Sequence, residues 1–298
     1  MPEKAVLDAP EPAADRFHGW VQLLLLAIFI GMLYFRIVEQ LILQWWNDPN
    51  YSHGFLIPLF SAFVLWKQRG RLTSIPAKTS WWGLAIVSSA LLILIAGNLG
   101  AELFISRSSL LILFAGLFIY FRGWAQFRVA LFAWCVLFLM IPLPAIIFNA
   151  VALPLQFLAS RIASDLLGAV GVPVLRDGNT IQLPSMTLEV VDACSGIRSL
   201  VSLLAIAVMY GYFAESSTVR RSILVLFAIP IAVLANGVRI MGTGLLGQYW
   251  SPEKAQGFFH AFSGWVIFVL AIAMLFLVSS AISWPIDFRK FWRLRRAS

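Results

Sequence analysis

The stretch "FHAFSGWVIFVLAIAMLFLVSSAISW", residues 259–284, contains no Asp, Glu, Lys or Arg. A helix rising 1.5 Å per residue crosses a hydrocarbon core of about 30 Å in about 20 residues, so this run is long enough to span a bilayer. Working outward from it, comparable apolar runs lie near 20–38, 54–66, 81–98, 108–121, 129–148, 195–213 and 223–241, which makes about eight spans. The second and fourth are short and require tilt or local thinning of the bilayer. A chain that is 60% hydrophobic and 12% charged does not read as a soluble domain. The sequence therefore predicts an all-α integral membrane protein.

Its basic residues are distributed unevenly between the two sides. An even number of spans puts both termini on one side, together with Lys67, Arg69, Arg71, Lys78, Arg122, Arg128, Arg220 and Arg221. Lys4 and Arg16 at the head and Arg289, Lys290, Arg293, Arg295 and Arg296 in the tail join them, whereas the opposite loops hold only Arg107, Arg161, Arg176 and Lys254. This asymmetry predicts cytoplasmic termini. The net charge of +8 sits in short clusters between spans rather than on a face, which excludes a nucleic-acid partner. The organisation expected is a disordered cytoplasmic head at 1–19 with no cleavable signal peptide, one polytopic membrane domain at 20–284, and a basic cytoplasmic tail at 285–298. Cys135 and Cys194 give neither a disulfide framework nor metal-ligand spacing.

The side poor in positive charge carries the chemistry. Span ends there bring Arg36 and Glu39, Ser52 and His53, Asp192 with Cys194, Ser195 and Arg198, Asn236 and Arg239, and finally His260. Ionisable groups near a hydrocarbon boundary are costly, which makes each a functional candidate. The same side holds the one sizeable non-spanning segment, 149–193. Apolar Val151, Leu155, Leu158, Ile162 and Leu166 oppose polar positions over 150–168, the pattern of a helix lying in the interface with Pro154 in its first turn. Alternation around Asp177-Gly178-Asn179 predicts a β-hairpin and a following strand that deliver the chain to Cys194.

A neutral thiol is a poor nucleophile, and a helix N-terminus and a nearby cation both favour the thiolate. Cys194 stands at the start of an apolar run, with Arg198 one helical turn on and Gly196 between them. For an isolated membrane cysteine the commoner reading is a small apolar side chain, and Cys135 takes that reading. Acyl transfer by a thiolate also needs a proton shuttle and a group to stabilise the oxyanion. His260 and Arg239 lie on the same side as Cys194. Singly, an interfacial histidine and a snorkelling arginine are ordinary; the three together are not.

These blocks resemble the exosortases, membrane cysteine transpeptidases of Gram-negative bacteria grouped with the archaeal archaeosortases. The likeness rests on "LEVVDACSGIRSL" at 188–200, "LANGVRI" at 234–240 and "HAFSGW" at 260–265, with support from "YSHGFLIP" at 51–58 and "VLRDGNTIQLP" at 174–184. The resemblance implies Cys194 as nucleophile with Arg239 and His260 completing the active site, no cofactor and no metal. It leaves Arg198 to stabilise the oxyanion or meet a substrate glutamate, and Asn236, Ser195, His53, Ser52, Arg36 and Glu39 as auxiliary groups. It further implies a place in the bacterial inner membrane with the site facing the periplasm. The implied substrates are exported proteins ending in a Pro-Glu-Pro motif, a transmembrane helix and a basic cluster, passed to an amine acceptor for surface or matrix sorting.

Other readings compete. Arg36, Glu39, Arg198 and Arg239 could line the path of a transporter or an exopolysaccharide assembly subunit, although charges gathered at one rim argue against a through-path. A scaffold that binds sorting tails without cutting them would make Cys194 dispensable, and a protease would release its product to water. Pro10-Glu11-Pro12 of this chain mimics the motif, but falls in the cytoplasmic head.

Overall fold

Apolar periodicity becomes helix along most of the chain, and the computed structural model describes residues 13–48, 50–190, 197–251 and 258–283. In chain order the helices are α1 Ala13–Asn47, α2 Leu56–Lys67, α3 Arg69–Ser74, α4 Trp82–Leu99, α5 Leu103–Val136, α6 Ala145–Ala169, α7 Ile197–Ala214, α8 Thr218–Tyr249 and α9 Phe258–Ser283. Strands β1 Leu175–Asp177, β2 Thr180–Gln182 and β3 Thr187–Glu189 lie between α6 and α7. Among the described residues six helices are long and apolar enough to cross a membrane. The protein is an all-α polytopic membrane protein carrying a small antiparallel sheet.

α5 folds back on itself. At Gly123 the backbone turns to φ 83° and ψ 170°, inside α5. The Trp134 indole donates to the Leu111 carbonyl at 2.8 Å, although the two residues would be about 34 Å apart along a straight helix. Phe118 and Phe127 likewise meet with ring centroids 6.0 Å apart. The arms 103–122 and 124–136 are therefore antiparallel, as the separate runs at 108–121 and 129–148 predict. The second arm stops sooner than expected, because a 3-10 turn at Leu137–Met140 leads into extended Ile141 and then Pro142 and Pro144.

Two rims follow from these contacts. At one, Lys78 N donates to the Arg122 carbonyl, Gln126 Nε2 to the Ile75 carbonyl, and Gln68 Nε2 to the Tyr212 hydroxyl. This basic rim gathers the loops 67–80, 122–128 and 214–222, which the charge distribution placed on one side. At the far rim the Trp45 indole donates to the Met140 carbonyl at 2.9 Å and Arg107 Nη1 to Gln44 Oε1 at 2.7 Å.

α6 begins at the far rim. Ala145, its first residue, shares a cleft there with Asp48 and Glu102. Its later turns run beside the end of α8, with Ile162 against Gly237 and Leu167 against Gly244. α8 rises from Arg221 at the basic rim, and its 32 residues span about 48 Å, well beyond a hydrocarbon core of about 30 Å. α6 covers the helix expected at 150–168 but starts earlier, and it is itself one of the six helices long and apolar enough to cross a membrane. Pro154 is inside the helix rather than in its first turn, and leaves the Ala150 carbonyl without its i+4 donor.

Over α6 the three strands form a cap. β1 and β2 pair through Asp177↔Thr180 around the two-residue turn Gly178-Asn179, with Gly178 at φ 60°, a conformation glycine adopts without penalty. Ser160 Oγ donates to the Gly178 carbonyl at 2.9 Å and ties the turn to α6. Ala163, Leu167, Ile181, Leu188, Val190 and Ile240 close a separate apolar core between sheet, α6 and α8.

α7, α8 and α9 pack through Leu203, Ala207, Leu224, Ala228, Ala271 and Leu275. At the basic rim Glu215, 2% exposed, accepts from Ser279 Oγ at 2.7 Å and Ser283 Oγ at 2.6 Å, which fastens the end of α9 to the α7–α8 loop. Burial pushes its carboxyl up, but the two hydroxyls, with Arg220 and Arg221 adding to them, outweigh that and hold it below the usual range. A depressed carboxyl adds stability above the unfolded-state pKa and loses it as pH falls through the folded value. Glu215→Gln is expected to cost about 1–2 kcal/mol at pH 7 by weakening charge-assisted bonds. In melts followed by tryptophan fluorescence, the gap from the parent should close as pH falls through the carboxylate range.

Candidate functional site

Arg239 lies within α8, one turn after Asn236, which is 3% exposed. Its carbonyl accepts from Thr243 Oγ1 at 3.0 Å. Its guanidinium crosses to α9, where a Cβ placed on Gly264 would lie 3.4 Å from Nη1. The missing side chain at Gly264 lets the cation lie against the α9 backbone. His260 precedes Gly264 by one turn of the same helix, so the two positions share a strip of α9. The His260 side chain lies outside the described residues.

Cys194 and Ser195 also lie outside them, in 191–196. The flanks are fixed: Val190, 1% exposed, closes the cap core, and Ile197, 2% exposed, opens α7. Arg198 follows in the first turn of α7, its side chain again outside the description. Ile197, which follows the expected nucleophile, and the positions of the cation and the histidine therefore belong to three helices that pack on one another.

The auxiliary residues divide. Ser52 and His53 sit in a 3-10 turn, Ser52–Phe55, at the far rim. Tyr51 beside them packs in the cluster that holds Ala205 of α7. Burial pushes the His53 imidazole below the usual histidine range, and the neighbouring Leu139 carbonyl offsets this only in part. Arg36 and Glu39 depart from expectation. α1 continues to Asn47, which leaves Arg36 about 16 Å short of its end. The two side chains pair with each other at 3.4 Å and are 83% and 41% exposed on the outside of the bundle. Their printed partners are each other rather than residues of another helix.

Arg107, counted from sequence only as a loop cation, is 3% exposed inside α5. Its Nη1 reaches Gln44, and with Asp48, Tyr51, Glu102 and Pro144 it lines a polar cleft of about 380 Å³ at the far rim. The available signal was a single cation one turn inside the run that begins at Leu103.

These features define a polytopic membrane protein with a three-stranded cap on α6 and a polar cleft at the far rim. The chain matches the family model of the transmembrane exosortases over residues 45–277, and it belongs to that family. No curated protein and no solved structure matched the chain. The matched span contains Cys194, Arg239, His260 and Arg107, and begins after Arg36 and Glu39.

Proposed function

We propose that this chain is a cysteine transpeptidase of the bacterial inner membrane, with the basic rim in the cytoplasm and the cap in the periplasm. Its substrates are exported proteins ending in a Pro-Glu-Pro motif, a transmembrane helix and a basic cluster. The Cys194 thiolate attacks the scissile carbonyl, and Arg239 stabilises the oxyanion that forms. His260 gives a proton to the leaving amine as the C–N bond breaks, leaving a thioester on Cys194. An acceptor amine then attacks the thioester, His260 takes its proton, and the thiolate is restored. The single observation that supports this most is the Arg239 guanidinium lodged against α9 one turn from His260. The Arg36–Glu39 pair on the outside of the bundle gives no support to a transport path through it.

The test is co-expression with a reporter carrying the tripartite tail, with hydroxylamine added to intercept the thioester. Processing with a hydroxamate at the new C-terminus, read by mass spectrometry, is the expected result. Arg239→Ala should slow it about 10²–10³-fold and His260→Ala about 10²–10⁴-fold at matched membrane levels. Parental processing in both variants overturns the assignment, and a free carboxylate as the natural product would make the enzyme a hydrolase.

A further inference from the structure

At the basic rim, away from the polar cleft around Arg107, lies a second cavity. It measures about 850 Å³ and lies between α2, α3, the second arm of α5, α7 and the start of α8. Lys67, Arg71 and Arg221 are its cations, and among the described residues no carboxylate lines it. Arg221 is held in place, Nε donating to the Glu215 carbonyl at 2.8 Å and Nη2 to that of Tyr212 at 3.4 Å. The Tyr212 ring is the floor: it stacks on Phe132 with centroids 4.8 Å apart, while Lys67 and Arg221 stand 5.8 and 5.3 Å from its centre. Its hydroxyl accepts from Gln68 at 3.1 Å.

The polarity of this cavity is graded along the membrane normal. Val208 is one turn deeper than Tyr212 on α7, and Val225 and Leu226 are one turn deeper than Arg221 on α8. Cations therefore ring the end at the membrane boundary, and apolar side chains form the wall beneath. A soluble phosphate has no use for that wall, and an apolar membrane helix has none for the cations. A basic cluster on a peptide would be repelled.

We infer that this cavity binds an anionic phospholipid, its phosphodiester held by Lys67, Arg71 and Arg221 and its acyl chains lying on Phe132, Val208, Val225 and Leu226. Basic pockets between membrane helices recognise lipid headgroups by this combination of charge and apolar surface. Thr218 and Ser222 add hydroxyl donors at the same level.

The experiment uses the purified full chain in neutral detergent, with native mass spectrometry against dioleoyl phosphatidylglycerol, dioleoyl phosphatidylcholine and inorganic phosphate. Retention of phosphatidylglycerol at least ten-fold over phosphatidylcholine is expected, with no displacement by millimolar phosphate. Lys67→Gln with Arg71→Gln should reduce that retention by on the order of ten-fold, since each boundary cation contributes a several-fold factor. Neither residue makes a hydrogen bond that fastens one helix to another. Phe132→Ala should weaken lipid retention without creating phosphate binding. Equal retention of the two lipids, full displacement by phosphate, or an unchanged preference in the double variant would overturn the inference.

Discussion

Cys194→Ala is expected to leave reporter processing at background, while Cys135→Ala processes at the parental rate. The contrast follows from where the two thiols stand. Cys135 is exposed on an arm of α5 within a membrane span, with no ionisable neighbour in sequence that would favour its thiolate. Cys194 stands three positions before Ile197, where α7 begins, and four before Arg198, and under the proposed mechanism the helix terminus and the cation favour its thiolate. Removing the nucleophile of a covalent mechanism costs on the order of 10⁴-fold or more, because the remaining groups have nothing to act through. Hydroxylamine would then yield no hydroxamate, and the unprocessed reporter should accumulate at the membrane. Cys194→Ser keeps the shape but supplies a hydroxyl that stays protonated, so its expected rate is also close to background. Processing by Cys194→Ala at the parental rate would remove the thiol from the mechanism and favour a scaffold that leaves cutting to another protein.

Much of the architecture could be read from apolar runs and basic clusters, since both are properties of sequence-local segments. The end of α1 was misjudged at Glu39 and Gln40, although Tyr34, Ile37, Leu41 and Trp45 continue one buried stripe at helical spacing past them. Arg36 therefore lies about 16 Å before the end of α1 rather than at a span end. Pro142 and Pro144 marked the break before α6 just as plainly. The Gly178-Asn179 hairpin was legible because a two-residue turn dictates its own register. What no local pattern contains is which loops meet. Gln44 with Arg107, and Glu215 with Ser279 and Ser283, join residues more than sixty apart in the chain, and only the packed bundle pairs them. The candidate site divides in the same way. Arg239 and His260 stood out as polar groups at apolar boundaries, but the close approach of Arg239 to Gly264 depends on how α8 crosses α9.

Gly123→Ala is expected to prevent accumulation of folded protein. At φ 83° and ψ 170° the backbone occupies a region essentially closed to residues with a Cβ. The added methyl would also overlap the Lys78 carbonyl oxygen, which belongs to the chain that crosses the basic rim beside the turn. Strain and overlap together should cost about 3 kcal/mol or more. Relief requires the two arms of α5 to part, which would break the Trp134–Leu111 bond and the Phe118–Phe127 contact. Gly168→Ala is the matched control: it lies in α6, ordinary in φ, with nothing within 4 Å of the new methyl. There the same change should be neutral or stabilise by about 0.5–1 kcal/mol through helix propensity. Fluorescence-detected size exclusion of both variants from solubilised membranes would separate them, the first as a lost or aggregated peak and the second as the parental one. A parental, monodisperse Gly123→Ala would mean that α5 does not turn at this residue, and that the convergence of the basic loops needs another cause.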